Sequence, residues 1–136
     1  MKSKLTVFII ILPAAIIFFT FCSSKNITLE KLGWKLAYQS YTFKNFTFEE
    51  GLQKADKLGL KYVEAYRGQK LSSTNSNPTH YDANDATRKE MKQLLNQYQV
   101  KLINYGVVKG QDEEEWKRIF DFAKEMGVET LTAEPL

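Results

Sequence analysis

Three times along this chain an amphipathic run gives way, through a tight turn, to a short strand-like segment. Phe48, Leu52, Ala55 and Leu58 recur at helical spacing, then Met91, Leu94, Leu95 and Tyr98, then Trp116, Ile119, Phe120 and Ala123. Each run closes on a turn: Leu58-Gly59-Leu60, Tyr98-Gln99-Val100 and Met126-Gly127-Val128. Gly suits a helix C-terminus because the residue past the last turn usually adopts a left-handed conformation. The segments that follow predict strands over Lys61–Tyr66 and Lys101–Val108, and a fourth strand ending near Glu134; a first strand runs from Trp34 to about Tyr41. Strands alternating with helices imply right-handed crossovers and a parallel α/β sheet or barrel.

The helix starts carry their own signals. Thr47-Phe48-Glu49-Glu50 is a capping box, in which a hydroxyl and a carboxylate satisfy each other's backbone N–H groups. The second helix begins near Asp85. The third opens on Asp112-Glu113-Glu114-Glu115, acids placed at the positive end of the helix dipole, with Glu113 and Glu114 spaced to pair with Lys117 and Arg118. Between the second strand and second helix, residues 68–84 are polar and rich in Ser, Asn and Thr. A loop of that length in a compact domain is a lid, a binding segment or disordered. It holds His80, the only histidine of the chain.

Residues 5–22 form an apolar run of 18 without a charge, preceded by Lys2 and Lys4. This is the basic and apolar signature of a secretory signal, at the lower limit of what spans a bilayer. Cys22, the only cysteine, ends the run and is followed by Ser23-Ser24, so lipid attachment at Cys22 is the expectation, with a cleaved signal or an uncleaved helix as alternatives. The organisation expected is a signal at 1–24, a tether at 25–32 and one domain at 33–136. Such a protein is exported to the periplasm or cell envelope and held at the membrane. No cysteine remains in the domain for a disulfide or thiolate metal site.

The whole chain of 136 residues has 19 basic and 16 acidic side chains. Without residues 1–24 the balance is 17 to 16. Two of the three net positive charges therefore belong to the leader, and no nucleic-acid partner is expected.

Side chains alternate between the faces of a strand. Aligned on the residue after each turn, Tyr38, Glu64, Asn104 and Thr132 share one level, and Ser40, Tyr66, Gly106 and Glu134 share the next. The other face reads apolar, with Val63, Ala65, Ile103, Leu131 and Ala133. Helices pack against the apolar face, so the polar row points to the opposite side. A carboxylate buried there is costly unless paired or bound to a cation. Glu134 and Glu64 are accordingly candidate functional groups, the alternative being pairing with Arg67 or a rim lysine.

The stretches Trp34-Lys35-Leu36-Ala37-Tyr38-Gln39-Ser40-Tyr41-Thr42-Phe43, Tyr62-Val63-Glu64-Ala65-Tyr66 with Gly68-Gln69-Lys70-Leu71, and Ala133-Glu134-Pro135 resemble exported sugar phosphate isomerase/epimerase proteins of the xylose-isomerase-like TIM-barrel superfamily. The resemblance implies the N-terminal half of a TIM (β/α)8 barrel, about four strand–helix units with the last helix missing. It also implies metal-assisted proton transfer on a sugar or sugar derivative, with a divalent metal (Zn, Mn or Mg) in the full-length protein. Glu134 is the position onto which a catalytic and metal-binding carboxylate carries over. Glu64, Tyr38, Ser40, Tyr66, Asn104 and His80 are the expected substrate-binding residues. A fragment of this extent is expected to be inactive alone. A non-catalytic carbohydrate-binding barrel is the alternative; endonuclease IV-like DNA repair, from the same superfamily, conflicts with export and near-neutral charge.

Overall fold

The structure is a computed structural model that describes residues 28–134. The expected signal, Cys22 and residues 135–136 lie outside the described residues. The chain divides into two units, Met1–Trp34 and Lys35–Leu136. Of the first, residues 28–34 are described: a 3-10 turn at Glu30–Leu32, with the Trp34 N–H donating to the Leu29 carbonyl at 3.0 Å.

The second unit runs β1 (Ala37–Gln39), α1 (Phe48–Lys57), β2 (Tyr62–Ala65), α2 (Asp85–Gln97), β3 (Lys101–Val108), α3 (Glu113–Met126) and β4 (Thr130–Ala133). The four strands form one parallel sheet in the order β1-β2-β3-β4. This is the α/β alternation that the sequence pattern predicts.

Helix boundaries follow local chemistry. In α1 the Thr47 hydroxyl accepts the Glu50 N–H at 3.2 Å while the Glu50 carboxylate accepts the Thr47 N–H at 2.7 Å, so the capping box is complete. Asn84 caps α2 by accepting the Thr87 N–H, and Asp112 caps α3 by accepting that of Glu115. Gly59 and Gly127 take the left-handed conformation past their helices, at φ 71° and 72°. Past α2 no glycine is present, and Gln99 adopts φ 52° in its place, a conformation uncommon for a residue with a Cβ.

One face of the sheet carries all three helices. Tyr38, Val63, Ala65, Leu102, Tyr105 and Val108 pack there against Leu52, Met91, Leu95, Ile119 and Phe122. On α3 the buried stripe is Ile119, Phe122, Ala123 and Met126, positions three and four apart. Phe120, expected in that stripe, is rotated off it and is 59% exposed. The expected pairing of Glu113 and Glu114 also gives way: Lys117 pairs with Asp121 at 2.7 Å and Arg118 with Asp82 at 3.0 Å.

The first strand is shorter than the sequence predicts. After Gln39 the chain turns into a 3-10 segment, Ser40–Phe43. Two bonds impose the turn: the Gln39 side-chain oxygen accepts the Tyr41 N–H, and the buried Ser40 hydroxyl accepts the Tyr66 N–H at 3.1 Å. Strand β3 departs from simple alternation as well. Val63 pairs with Leu102 but Glu64 pairs with Asn104, leaving Ile103 as an extra residue. Gly106 pairs with Thr132 but Val108 with Ala133, leaving Val107 extra. These bulges put Leu102, Tyr105 and Val108, spaced by three, on the helix face. Ile103, expected there, is not one of its buried members.

Candidate functional site

The face that carries no helix among the described residues has two ends of different character. At the N-terminal end of the strands, Lys35 forms an ion pair with Glu129, and its ammonium lies 5.7 Å from the centre of the Tyr62 ring. Lys35 precedes β1 and Glu129 precedes β4, the two outer strands. Three strand spacings, each about 4.8 Å, separate such positions in a flat sheet. Their side chains meet because the face is concave.

At the C-terminal end the face is polar. Gln39 pairs with Glu64 and Glu64 with Asn104 across the three strands. The Asn104 amide donates to the Thr132 hydroxyl at 2.9 Å. Glu134 follows β4, its N–H held by the Val108 carbonyl at 3.0 Å and its side chain exposed; alternation puts it on the face of Thr132. Glu64 is half-buried. Among the described residues neither Glu64 nor Glu134 has an ion-pair partner, so the pairing with Arg67 or a rim lysine considered from sequence is not made.

Of the expected row, Glu64, Asn104 and Thr132 thus share one face, although Asn104 pairs with Thr130 and Thr132 with Gly106, so that Thr132 stands one level beyond Asn104; Tyr38 is not on that face. Tyr38 pairs with Val63, lies on the helix face, and packs its ring 5.7 Å from that of Phe43. Burial pushes its hydroxyl well above the usual tyrosine range. The cause is one residue of register: aligning β1 on Trp34 counts one residue too many before the strand begins to pair. Gln39 occupies the position assigned to Tyr38, and only the pairing register shows it.

Ser40 is buried and serves as a tie between the ends of β1 and β2 rather than as an open ligand for substrate. Tyr66 lies half-buried at the mouth, its ring edge-on to Tyr41 with centroids 5.1 Å apart. Burial raises its hydroxyl above the ordinary range, aided by Tyr41.

The long polar loop is packed. Gln69, Leu71, Ser72 and Thr79 are buried, and Lys70 and Pro78 form an antiparallel bridge. Glu90 of α2 accepts from the Ser72 hydroxyl at 2.9 Å and the Asn75 amide at 2.7 Å. The Thr79 hydroxyl donates to the Tyr66 carbonyl, and the Thr79 carbonyl accepts from the Tyr105 hydroxyl, both at 2.9 Å. His80 follows, stacked 4.1 Å from the Tyr81 ring, its Nδ1 accepting the Asp82 N–H. Burial lowers its pKa below the ordinary histidine value. Tyr81 donates to Glu115; burial first, and that bond second, push its hydroxyl to about 12. The same bond holds the Glu115 carboxyl below its usual range.

A divalent cation needs several oxygen or nitrogen ligands converging on one point. Among the described residues no group of three His, Cys, Asp or Glu side chains does so. Glu134 belongs to no such group among the described residues and by itself does not make a metal site. No helix among the described residues is long and apolar enough to cross a membrane.

The fold is therefore that of a mixed α/β protein with a four-stranded parallel sheet. No protein-family model and no curated protein matches the chain. Among solved structures it is similar to an uncharacterized protein from Parabacteroides distasonis, with 32% identity and a TM-score of 0.71. The match covers 76% of this chain and 44% of that one, so this chain spans less than half the length of that relative.

Proposed function

We propose that residues 35–134 are the N-terminal half of a (β/α)8 barrel whose mouth binds a sugar or sugar derivative and moves a proton between neighbouring carbons, as an isomerase or epimerase does. The observation that carries the reading is the row Gln39, Glu64, Asn104 and Thr132 at the C-terminal ends of parallel strands, on the concave helix-free face, with Glu134 beyond it. Barrel active sites lie at that end, while the opposite end serves stability. The Lys35–Glu129 pair fits the second role.

In this reading Gln39, Asn104 and Thr132 hold sugar hydroxyls, with Glu64 orienting the ring. Tyr66 with Tyr41 forms an apolar wall, and His80 lies at the rim. Glu134 takes a proton from the carbon next to a carbonyl and returns it to the former carbonyl carbon, while the proton of the neighbouring hydroxyl passes to the former carbonyl oxygen, so that carbonyl and hydroxyl exchange places. The same proposal has the protein exported and tethered through lipid on Cys22.

The test is proton exchange in D2O with the full-length protein and a panel of aldoses and ketoses, followed by NMR. Deuterium entering the carbon beside the carbonyl, and its loss by about 10²–10³ in Glu134→Gln, is the expected result. Binding without exchange would favour a carbohydrate-binding barrel instead. No sugar bound at all would overturn both. Labelled palmitate on wild type and its absence from Cys22→Ala checks the anchor.

A further inference from the structure

We propose that Leu29, Leu32 and Trp34 form a lipid-facing patch that lies in the headgroup layer of the membrane to which the chain is tethered. This rests on the tether reading above and extends it from the anchor to a surface on the described chain.

Residues 25–32 are expected as a tether, yet their described part is a closed turn. The Lys31 N–H donates to the Thr28 carbonyl and that of Leu32 to the Leu29 carbonyl, both at 3.1 Å. The Trp34 N–H then reaches back to the Leu29 carbonyl at 3.0 Å, across Gly33, which takes the left-handed conformation at φ 69°. A bond of this span, closed through a left-handed glycine, ends a helical turn and is often accompanied by an apolar contact between its two end residues. Here those residues are Leu29 and Trp34, with Leu32 between them in the chain. None of the three belongs to the core among the described residues: Leu29 is 42%, Leu32 48% and Trp34 66% exposed.

Position along the chain selects the occupant. The apolar run at 5–22 ends at Cys22, six residues before Thr28. Six residues of fully extended chain span about 20 Å. A chain held through that run, or through lipid on Cys22, therefore keeps the turn within reach of the headgroups. Of the surfaces that can cover these side chains, the bilayer alone is held beside them by the chain itself. The chemistry agrees. Tryptophan concentrates at the membrane–water interface, because its ring is apolar while its indole N–H seeks a polar partner. Lys31, exposed in the same turn, offers a cation to lipid phosphates. The N–H groups of Lys31, Leu32 and Trp34 are satisfied within the segment, which lowers the cost of moving its backbone out of water.

The chain has two tryptophans, Trp34 and Trp116, so fluorescence tests the assignment. The full-length protein, expressed with its own leader, is reconstituted into phosphatidylcholine/phosphatidylglycerol vesicles whose acyl chains carry bromine near the headgroup, or none. Flotation first establishes attachment. Trp34→Phe alters an exposed side chain and reports Trp116 alone, so the difference from wild type reports Trp34. Loss of at least about half of the Trp34 emission in brominated vesicles, with quenching by acrylamide at least about twofold weaker than in denaturant, is the expected result. Floated protein whose Trp34 emission ignores bromine overturns the proposal and leaves the tether reading standing. In that outcome ready quenching by acrylamide identifies a solvated linker, and weak quenching identifies a protein cover, from this chain or a second copy. Protein that does not float overturns both readings.

Discussion

Tyr105→Phe deletes one oxygen atom and tests whether the long loop after β2 is a structural part or a lid. The Tyr105 ring is fully buried against Phe122, with centroids 4.8 Å apart, and its hydroxyl donates to the Thr79 carbonyl at 2.9 Å. Phe fills the same volume, so no cavity enters the balance. What is lost is the partner of a buried carbonyl, which costs about 1–3 kcal/mol. Thr79 is also held through its N–H to Gln69 and its hydroxyl to Tyr66. The loop therefore loosens rather than detaches. That energy corresponds to roughly 5- to 150-fold faster exchange, provided that opening the loop is the route to exchange. The amides to watch are Leu71, which donates to Asn77, and Thr79, which donates to Gln69. The assay is native-state hydrogen exchange of wild type and variant, with the core amides of β3 as internal reference. A change under about twofold at Leu71 and Thr79 would refute the reasoning and make the loop independent of β3.

Alkaline pH probes the same buried phenols. Tyr38 and Tyr105 are raised above their ordinary value of 10.0 by burial, so above pH 10 the unfolded chain binds fewer protons than the folded one. Stability should be fully present below pH 10 and fall as pH rises beyond it; denaturant midpoints across pH 9–11.5 should show this, with a flatter fall in Tyr105→Phe. Thr47→Ala removes the α1 cap and should cost about 0.5–2 kcal/mol, read from the denaturant midpoint. Gly106→Ala would place a Cβ 2.4 Å from the Thr132 carbonyl oxygen, forcing β3 from β4; it should lower stability by at least about 1–3 kcal/mol. Gly51→Ala, whose Cβ would meet its nearest neighbours at 3.7–3.8 Å, is the control and should change stability little.

The helices were legible because their signals are local. A Thr followed three residues later by Glu, an acidic first turn, and apolar spacing of three and four each act within one or two turns. Asp85–Gln97 and Lys101–Val108 fall where the pattern puts them. The candidate site was less legible because it depends on register between strands. One surplus residue before β1 exchanged Tyr38 for Gln39, and two bulges in β3 replaced alternation with a spacing of three. Neither leaves a mark in the sequence of its own strand. Phe120 failed for another reason: periodicity reports that a side chain prefers burial, and says nothing of which surface buries it. The polar loop misled through composition, since its Ser, Asn and Thr side chains bond inward to Glu90, Thr87 and the Tyr66 carbonyl just past β2.

The ion pair between Lys35 and Glu129 links residues 94 apart in sequence, from the first strand's approach to the last strand's. Both side chains are substantially exposed, and a pair of that kind contributes at most about 1 kcal/mol. Its weight lies in geometry rather than in energy. A sheet that clasps its own two ends has its bend written into these hundred residues, and needs no partner to impose it. Under the half-barrel proposal, the strands that complete the sheet then meet a preformed curved template, with both outer strands already angled to receive them. Salt weakens such exposed pairs, and because this pair follows from the bend rather than setting it, raising ionic strength should release Lys35 and Glu129 while leaving the curvature of the sheet in place.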